Sequence, residues 1–167
     1  PTVAGVDQAF LDDRAVSAVV VTRGSAVVER VSAVTNLEVP YVPGLLSFRE
    51  GGSILAALER LETDPDLFLF DGSGRIHFRE AGLATHVGVM VEVPAIGVAK
   101  SLLCGTPRAS VEGGLPEGER VAIEADDSVE TCSRGTVIGY AVQTRQYDAD
   151  SRHVNPLYVS PGHRVGA

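Results

Sequence analysis

The first 35 residues commit the chain to a sheet. VAGVDQAF (3–10) reads as a buried strand and AVSAVVVT (15–22) as a second. After a tight turn at Gly24-Ser25, AVVERVSAVT (26–35) returns with apolar and polar residues alternating, a hairpin pattern. Later the period changes. SILAALERLE (53–62) has apolar residues at helical spacing until Asp64-Pro65 stops it. LFLFDG (67–72) is a short apolar strand ending on Asp71, AGLATHVGVMVEV (81–93) reads as a helix, and PAIGVAK (94–100) as another buried strand. The stretch 106–118 is rich in Pro and Gly and reads as a loop. RVAIEA (120–125) and GTVIGYAVQT (135–144) look like paired strands, and PLYVS (156–160) is short and apolar. Antiparallel strands first, then strands alternating with helices, imply an α/β fold with one mixed sheet and helices packed on it.

At 167 residues a single domain is expected, long enough to bury a core without staples. No apolar run reaches the roughly 18 residues of a membrane span, and no signal peptide opens the chain. The first residue is Pro rather than Met, so the natural start is expected upstream. Cys104 and Cys132 make neither a disulfide framework nor a CxxC pair, which suits a reducing cytoplasm. The net charge of −8 argues against a nucleic-acid partner unless the acids hold metal ions, which reverse the local sign. Thirteen of the fourteen basic residues are Arg; the single Lys is Lys100. Such a composition fits a salt-adapted or GC-rich source. A compact ammonium retained where Lys is otherwise avoided points to a task that the planar guanidinium cannot do.

Three acids end apolar runs: Asp7 in VAGVD, Glu50 after LLSF and Asp71 after LFLF. A charge beside buried apolar residues costs several kcal/mol unless it is paired or binds a metal. In open α/β sheets ligands bind at the carboxyl ends of strands. If those strands are neighbours, Asp7 and Asp71 meet, and carboxylate oxygens suit Mg²⁺ or Mn²⁺. For any one acid alone, a strand cap or an ion pair with Arg is the simpler reading. His77, His86, His153 and His163 have no zinc-finger or HExxH spacing. The chain has no GxxxxGK[ST], GxSxG or GxGxxG. In PYVPGLLSFRE (40–50) two prolines and a glycine form a rigid turn that pushes Tyr41 outward.

PYVPGLLSFRE, DGSGRIHFREAGLATHVG, VPAIGVAKSLLCG and NPLYVSPGHRV, in that order behind AGVD, resemble the endonuclease V family from Ala4 to Val165. The resemblance implies a ribonuclease H-like mixed central sheet flanked by helices. It implies Mg²⁺-dependent hydrolysis, with Mn²⁺ substituting, of the second phosphodiester bond 3′ to inosine, leaving 3′-hydroxyl and 5′-phosphate ends. Carried over by motif, Asp7, Glu50 and Asp71 are the metal-site acids, His163 of GHRV stands near the metal, and Lys100 of GVAK faces the phosphates. PYVP resembles the family's wedge, with Tyr41 entering where a base has left. Gly44, Leu46, Gly72, Gly74, Gly82 and Leu103 would line the pocket for the flipped base. His77 and Arg79 match the family's His-Pro-Arg, and His86 its Ser-His. Three positions depart from the family pattern: Gln8 follows GVD where an apolar residue is usual, Ser73 stands in DGSG where His is common, and Phe78 replaces the proline.

The family's segment ahead of the first strand and its helix after GHRV have no counterpart in these residues. The expectation is therefore one catalytic domain over 1–167 without those terminal segments. The expected partner is DNA containing deoxyinosine, or inosine-containing RNA, with no membrane; the expected state is a cytoplasmic monomer. A reading of a different class, a non-catalytic module that holds inosine or single-stranded nucleic acid, needs the wedge and pocket but no metal.

Overall fold

The computed structural model describes residues 1–37, 46–144 and 156–166, and of residues 46–50 the backbone alone. The strands are β1 (Thr2–Leu11), β2 (Arg14–Arg23), β3 (Ala26–Asn36), β4 (Leu67–Asp71), β5 (Ala95–Ala99), β6 (Thr106–Pro107), β7 (Arg120–Glu124), β8 (Val137–Val142) and β9 (Leu157–His163). The helices are α1 (Leu46–Leu58) and α2 (Leu83–Val91). All nine strands form one sheet in the order β3-β2-β1-β4-β5-β9-β8-β7-β6. The hairpins β1–β2–β3 are antiparallel, β1, β4 and β5 run parallel, and β9 returns antiparallel to β5. Each parallel step is a crossover through a helix, as parallel neighbours require.

Alternation decides the faces. On β1, Ala4 and Val6 are buried while Gly5 and Asp7 are exposed; on β4, Phe68 and Phe70 are buried and Asp71 is exposed. The buried set packs with Ile54 and Ala57 of α1 and Leu83, Ala84 and Val87 of α2 into the main core. Burying each such Ile, Leu or Phe side chain is worth about 1.5–3 kcal/mol. A second cluster (Ile76, Cys104, Ile123, Ile138, Ala141) holds the far half of the sheet. Among the described residues no helix is long and apolar enough to cross a membrane.

Three elements differ from expectation. Helix α1 begins at Leu46, so LSFRE belongs to the helix rather than to a segment before it. Gly51-Gly52 hid this continuity, since each interior Gly costs about 1 kcal/mol of helix propensity; packing of Ile54 and Ala57 overrides it. The helix ends at Leu58 rather than Glu62, because the Glu29 carboxylate accepts the Glu62 and Thr63 N–H groups at 2.8 and 2.9 Å. Those same bonds hold the Glu29 pKa below its ordinary value. Strand β6 lies inside the expected loop, and β9 continues through Pro161 to His163.

Candidate functional site

The parallel strands β1, β4 and β5 bring their carboxyl ends together. Val6 pairs with Phe70 and Phe70 with Gly97, so Asp7 and Asp71 follow as neighbours one step on, with strands about 4.8 Å apart. Lys100 follows β5 directly, and its Nζ lies 3.6 Å from Asp71 Oδ2. A cleft of about 400 Å³ opens here, with Asp7, Asp71 and Lys100 at its rim and Gly5, Leu69 and Val98 on its floor. Gly5 leaves that floor low, since nothing lies within 4 Å of where its Cβ would be. Glu50 lies on the first half of α1, among the residues whose side chains fall outside the description. Tyr41 and Gly44 lie outside the described residues, and of Leu46 only the helical backbone is described.

The donor set at the cleft fits a divalent cation. Two carboxylates on adjacent strands face one cleft; Asp71 is 42% exposed, so its oxygens are open to a ligand. Their only described cationic neighbour within 4 Å is Lys100. Hard oxygen donors of this kind suit Mg²⁺ or Mn²⁺, which commonly keep several waters and take one or two carboxylates. Among the described residues no group of three or more His, Cys, Asp or Glu is placed to hold a metal ion.

The loop after Asp71 is pinned backbone by backbone. The Gly72 N–H donates to Val98 O at 2.9 Å, Gly74 N–H to Ser160 Oγ at 2.9 Å and Arg75 N–H to Pro161 O at 2.8 Å. Gly72, Gly74 and Gly82, three of the glycines expected to line a base pocket, are in close packing. A Cβ on Gly74 would stand 2.1 Å from Pro161 O, and one on Gly82 2.3 Å from Ser73 O. Gly72, at φ +149°, would put a Cβ against Leu83. Gly72, Gly74, His77, Arg79, Gly82, His86 and Leu103 all lie outside the lining of the cleft at the acids.

Beyond that loop Arg75 pairs with Glu80 through both Nε and Nη2, and Thr131 donates to the other carboxylate oxygen at 2.9 Å. Burial first, and then the neighbouring His86 and Arg79, hold the His77 pKa below its ordinary value. His86 Nδ1 donates to Gly82 O at 3.0 Å, Arg79 pairs on the surface with Glu130, and Leu103 is exposed. Cys104 is a free thiol pushed up to about 11, by burial first and then by the charge of Asp126.

His163, expected from its motif to stand near the metal, is placed by the return of β9. It pairs with Ala95, at the start of β5, and its Cβ faces Gly88 of α2. Lys100 lies past the other end of β5, five residues on from Ala95, or about 16 Å at 3.3 Å per residue. GHRV begins in the last two residues of β9, and β9 runs antiparallel to β5, so the motif is carried to the amino ends of the parallel strands.

Sequence reasoning missed Gly97, Ser17, Ser53 and Ser160. Gly97 faces the loop, where a Cβ would stand 2.3 Å from Gly74 N and 2.5 Å from Gly72 O. Ser17 and Ser53 are buried and joined by Gln8, whose Nε2 donates to both at 2.9 and 2.6 Å. The signal was faint: single polar residues on otherwise apolar faces.

A mixed sheet with three parallel central strands and a reversed hairpin beside them defines a ribonuclease H-like domain, with acids at the carboxyl ends of its strands. The endonuclease V family model matches residues 1–167. The chain belongs to the endonuclease V family. It is 70% identical to an endonuclease V of Haloarcula marismortui over all of this chain and 62% of that protein. The crystal structure of endonuclease V from Streptomyces avermitilis superposes with a TM-score of 0.82 at 38% identity, covering 99% of this chain and 67% of that one. Endonuclease V of Ciona intestinalis, solved with DNA containing an inosine followed by a ribo-adenosine, gives 0.72 at 27% identity over 97% and 71%. The chain spans a little under two thirds of the length of the full relatives it matches.

Proposed function

We propose that this chain is the catalytic domain of a metal-dependent endonuclease that hydrolyses the second phosphodiester bond 3′ to inosine in deaminated DNA. The observation that carries it is the convergence of Asp7, Asp71 and Lys100 on one cleft. Family membership and the Ciona complex with inosine-containing DNA support the substrate. Mg²⁺, or Mn²⁺ in its place, would be held by Asp7 and Asp71 with Glu50, and when bound it activates water and stabilises the phosphate oxygens. Lys100 offers its ammonium to the charge growing on the transferring phosphate, beside the Asp71 carboxylate that keeps it at the cleft. The floor of Gly5, Leu69 and Val98 lets a backbone approach without obstruction. Tyr41 as wedge, and Gly44, Leu46, Gly72, Gly74, Gly82, Leu103, His77, Arg79 and His86 around the base, remain part of this reading. The close-packed glycines would act there by holding loop backbone groups in place rather than by leaving space. A single domain acting as a cytoplasmic monomer completes it, and the free thiols suit a reducing compartment.

The test is a labelled strand with one internal deoxyinosine beside an adenosine control, incubated with Mg²⁺ and then with EDTA. A nick at the second bond 3′ of the inosine, absent from the control and abolished by EDTA, is the expected result. The same substrate made with ribose decides between DNA and RNA. Asp71→Asn separates nuclease from binding module: cleavage falls by roughly 10³ while a lesion-specific gel shift persists. Unchanged cleavage would overturn the assignment of Asp71.

A further inference from the structure

Next to Asp7, on the opposite face of β1, lies a buried polar network that the proposed chemistry does not use. Gln8 Nε2 donates to Ser17 Oγ of β2 and to Ser53 Oγ of α1, and Ser17 Oγ donates to Ser53 Oγ at 2.9 Å. Ser17 is fully buried and Ser53 2% exposed. Three elements thus meet through one amide and two hydroxyls, in a layer otherwise filled by Ala, Val, Ile and Phe.

Apolar contacts are tolerant of sliding, because a helix face of similar residues packs nearly as well a fraction of a turn away. A buried hydrogen-bond network is not tolerant, since any shift leaves a donor or acceptor unsatisfied in a medium where that is costly. Gln8 is also tied to the acid before it: its N–H donates to Asp7 Oδ1 at 2.8 Å. Glu50 lies three residues before Ser53 in the same helix. One residue therefore touches the Asp7 carboxylate with its backbone and the Glu50-bearing helix with its side chain.

We propose that Gln8 is a positioning residue that locks α1 in register over β1 and β2, and so sets the place of Glu50 relative to Asp7. The proposal rests on reading these acids as a metal site.

Gln8→Leu keeps size and removes the amide, while Ser17 and Ser53 stay paired to each other. Ser53→Ala removes the helix end of the network instead, as a second variant in case the first folds poorly. Mn²⁺ binding to the free protein is measured by electron paramagnetic resonance, with thermal melting to confirm that each variant is folded, and inosine-strand cleavage is titrated with Mg²⁺. Both variants are expected to weaken Mn²⁺ binding about five- to tenfold and to raise the Mg²⁺ needed for half-maximal cleavage by a like factor, with KM for the strand unchanged. A lowered melting temperature with the Mn²⁺ affinity within twofold of the parent would make the network merely structural and overturn the proposal. Failure of the parent itself to bind Mn²⁺ would overturn the metal reading, and this proposal with it.

Discussion

Lys100 and Glu80 show how differently two charges can be used. The Lys100–Asp71 pair is well exposed on both sides, so its worth to stability is within about 1 kcal/mol. Its value should appear in the rate. Lys100→Ala is expected to slow single-turnover cleavage by roughly 10²–10³, the usual cost of losing one group aimed at developing charge. Lys100→Arg should recover part of that, because the guanidinium keeps the charge but not the compact shape. Equal losses of rate and stability would instead make Lys100 a structural residue. Glu80 works the other way. Burial pushes its pKa up, but the hydrogen bonds from Arg75 and Thr131 and the Arg75 charge outweigh that and leave it below its ordinary 4.5. The folded protein then binds this proton more weakly than the unfolded chain. The stabilisation is fully present above about pH 4.5 and is lost as the pH falls through the lower, folded value. Glu80→Gln should cost roughly 1–2 kcal/mol at pH 7 in urea unfolding, and the gap from the parent should close toward pH 3. A gap independent of pH would mean that charge plays no part.

At the scale of elements, the loop from Gly72 to Gly82 is a rigid strap between β4 and α2, and Gly97 on β5 is what lets it lie flat. Gly97→Ala puts a methyl 2.3 Å from Gly74 N, which is held by its hydrogen bond to Ser160 Oγ, and 2.5 Å from Gly72 O. Overpacking of that kind costs about 1–3 kcal/mol or more, and here it would also displace Asp71. Gly5→Ala, where nothing lies within 4 Å, should change stability by under about 0.5 kcal/mol. Urea midpoints for the pair check this directly; equal effects would mean that the strap is not packed as described. The same elements show what sequence can carry. The hairpin and the LFLF strand were legible because period-two alternation and short apolar runs are local. The start of α1 was not, since Gly51-Gly52 breaks the local pattern and only packing against β2 and β3 restores it. The placement of His163 was hidden for a related reason. A motif names the residue, but the antiparallel return of β9 decides at which end of the sheet it stands.

For the whole molecule, Asp7, Asp71 and Lys100 were legible as candidates because each ends an apolar run, and parallel pairing brings those three to one cleft. The network of Gln8, Ser17 and Ser53 was not, because it joins residues 36 and 45 positions apart that carry no pattern of their own. Charge, by contrast, is a property that the sequence gives entire. With a net charge of −8 and only one Lys, the chain has little basic surface with which to displace counterions from a phosphate backbone. Several of the described Arg side chains are already engaged: Arg75 with Glu80, Arg108 with Glu124, Arg134 with Asp127 and Arg164 with Glu92. Each phosphate neutralised by a cation adds about 0.9 to the slope of log K against log salt. Base stacking and metal contacts release few counterions, and stacking contributes on the order of 1–3 kcal/mol per base whatever the monovalent salt. Binding of an inosine-containing strand, measured by fluorescence anisotropy between 0.1 and 1 M KCl at fixed Mg²⁺, should therefore show a log–log slope of about −1 to −3. A strongly basic nuclease making six or more phosphate contacts would give −5 or steeper. A slope that steep here would mean that the free arginines line up along the strand after all, and that net charge misrepresents the binding face.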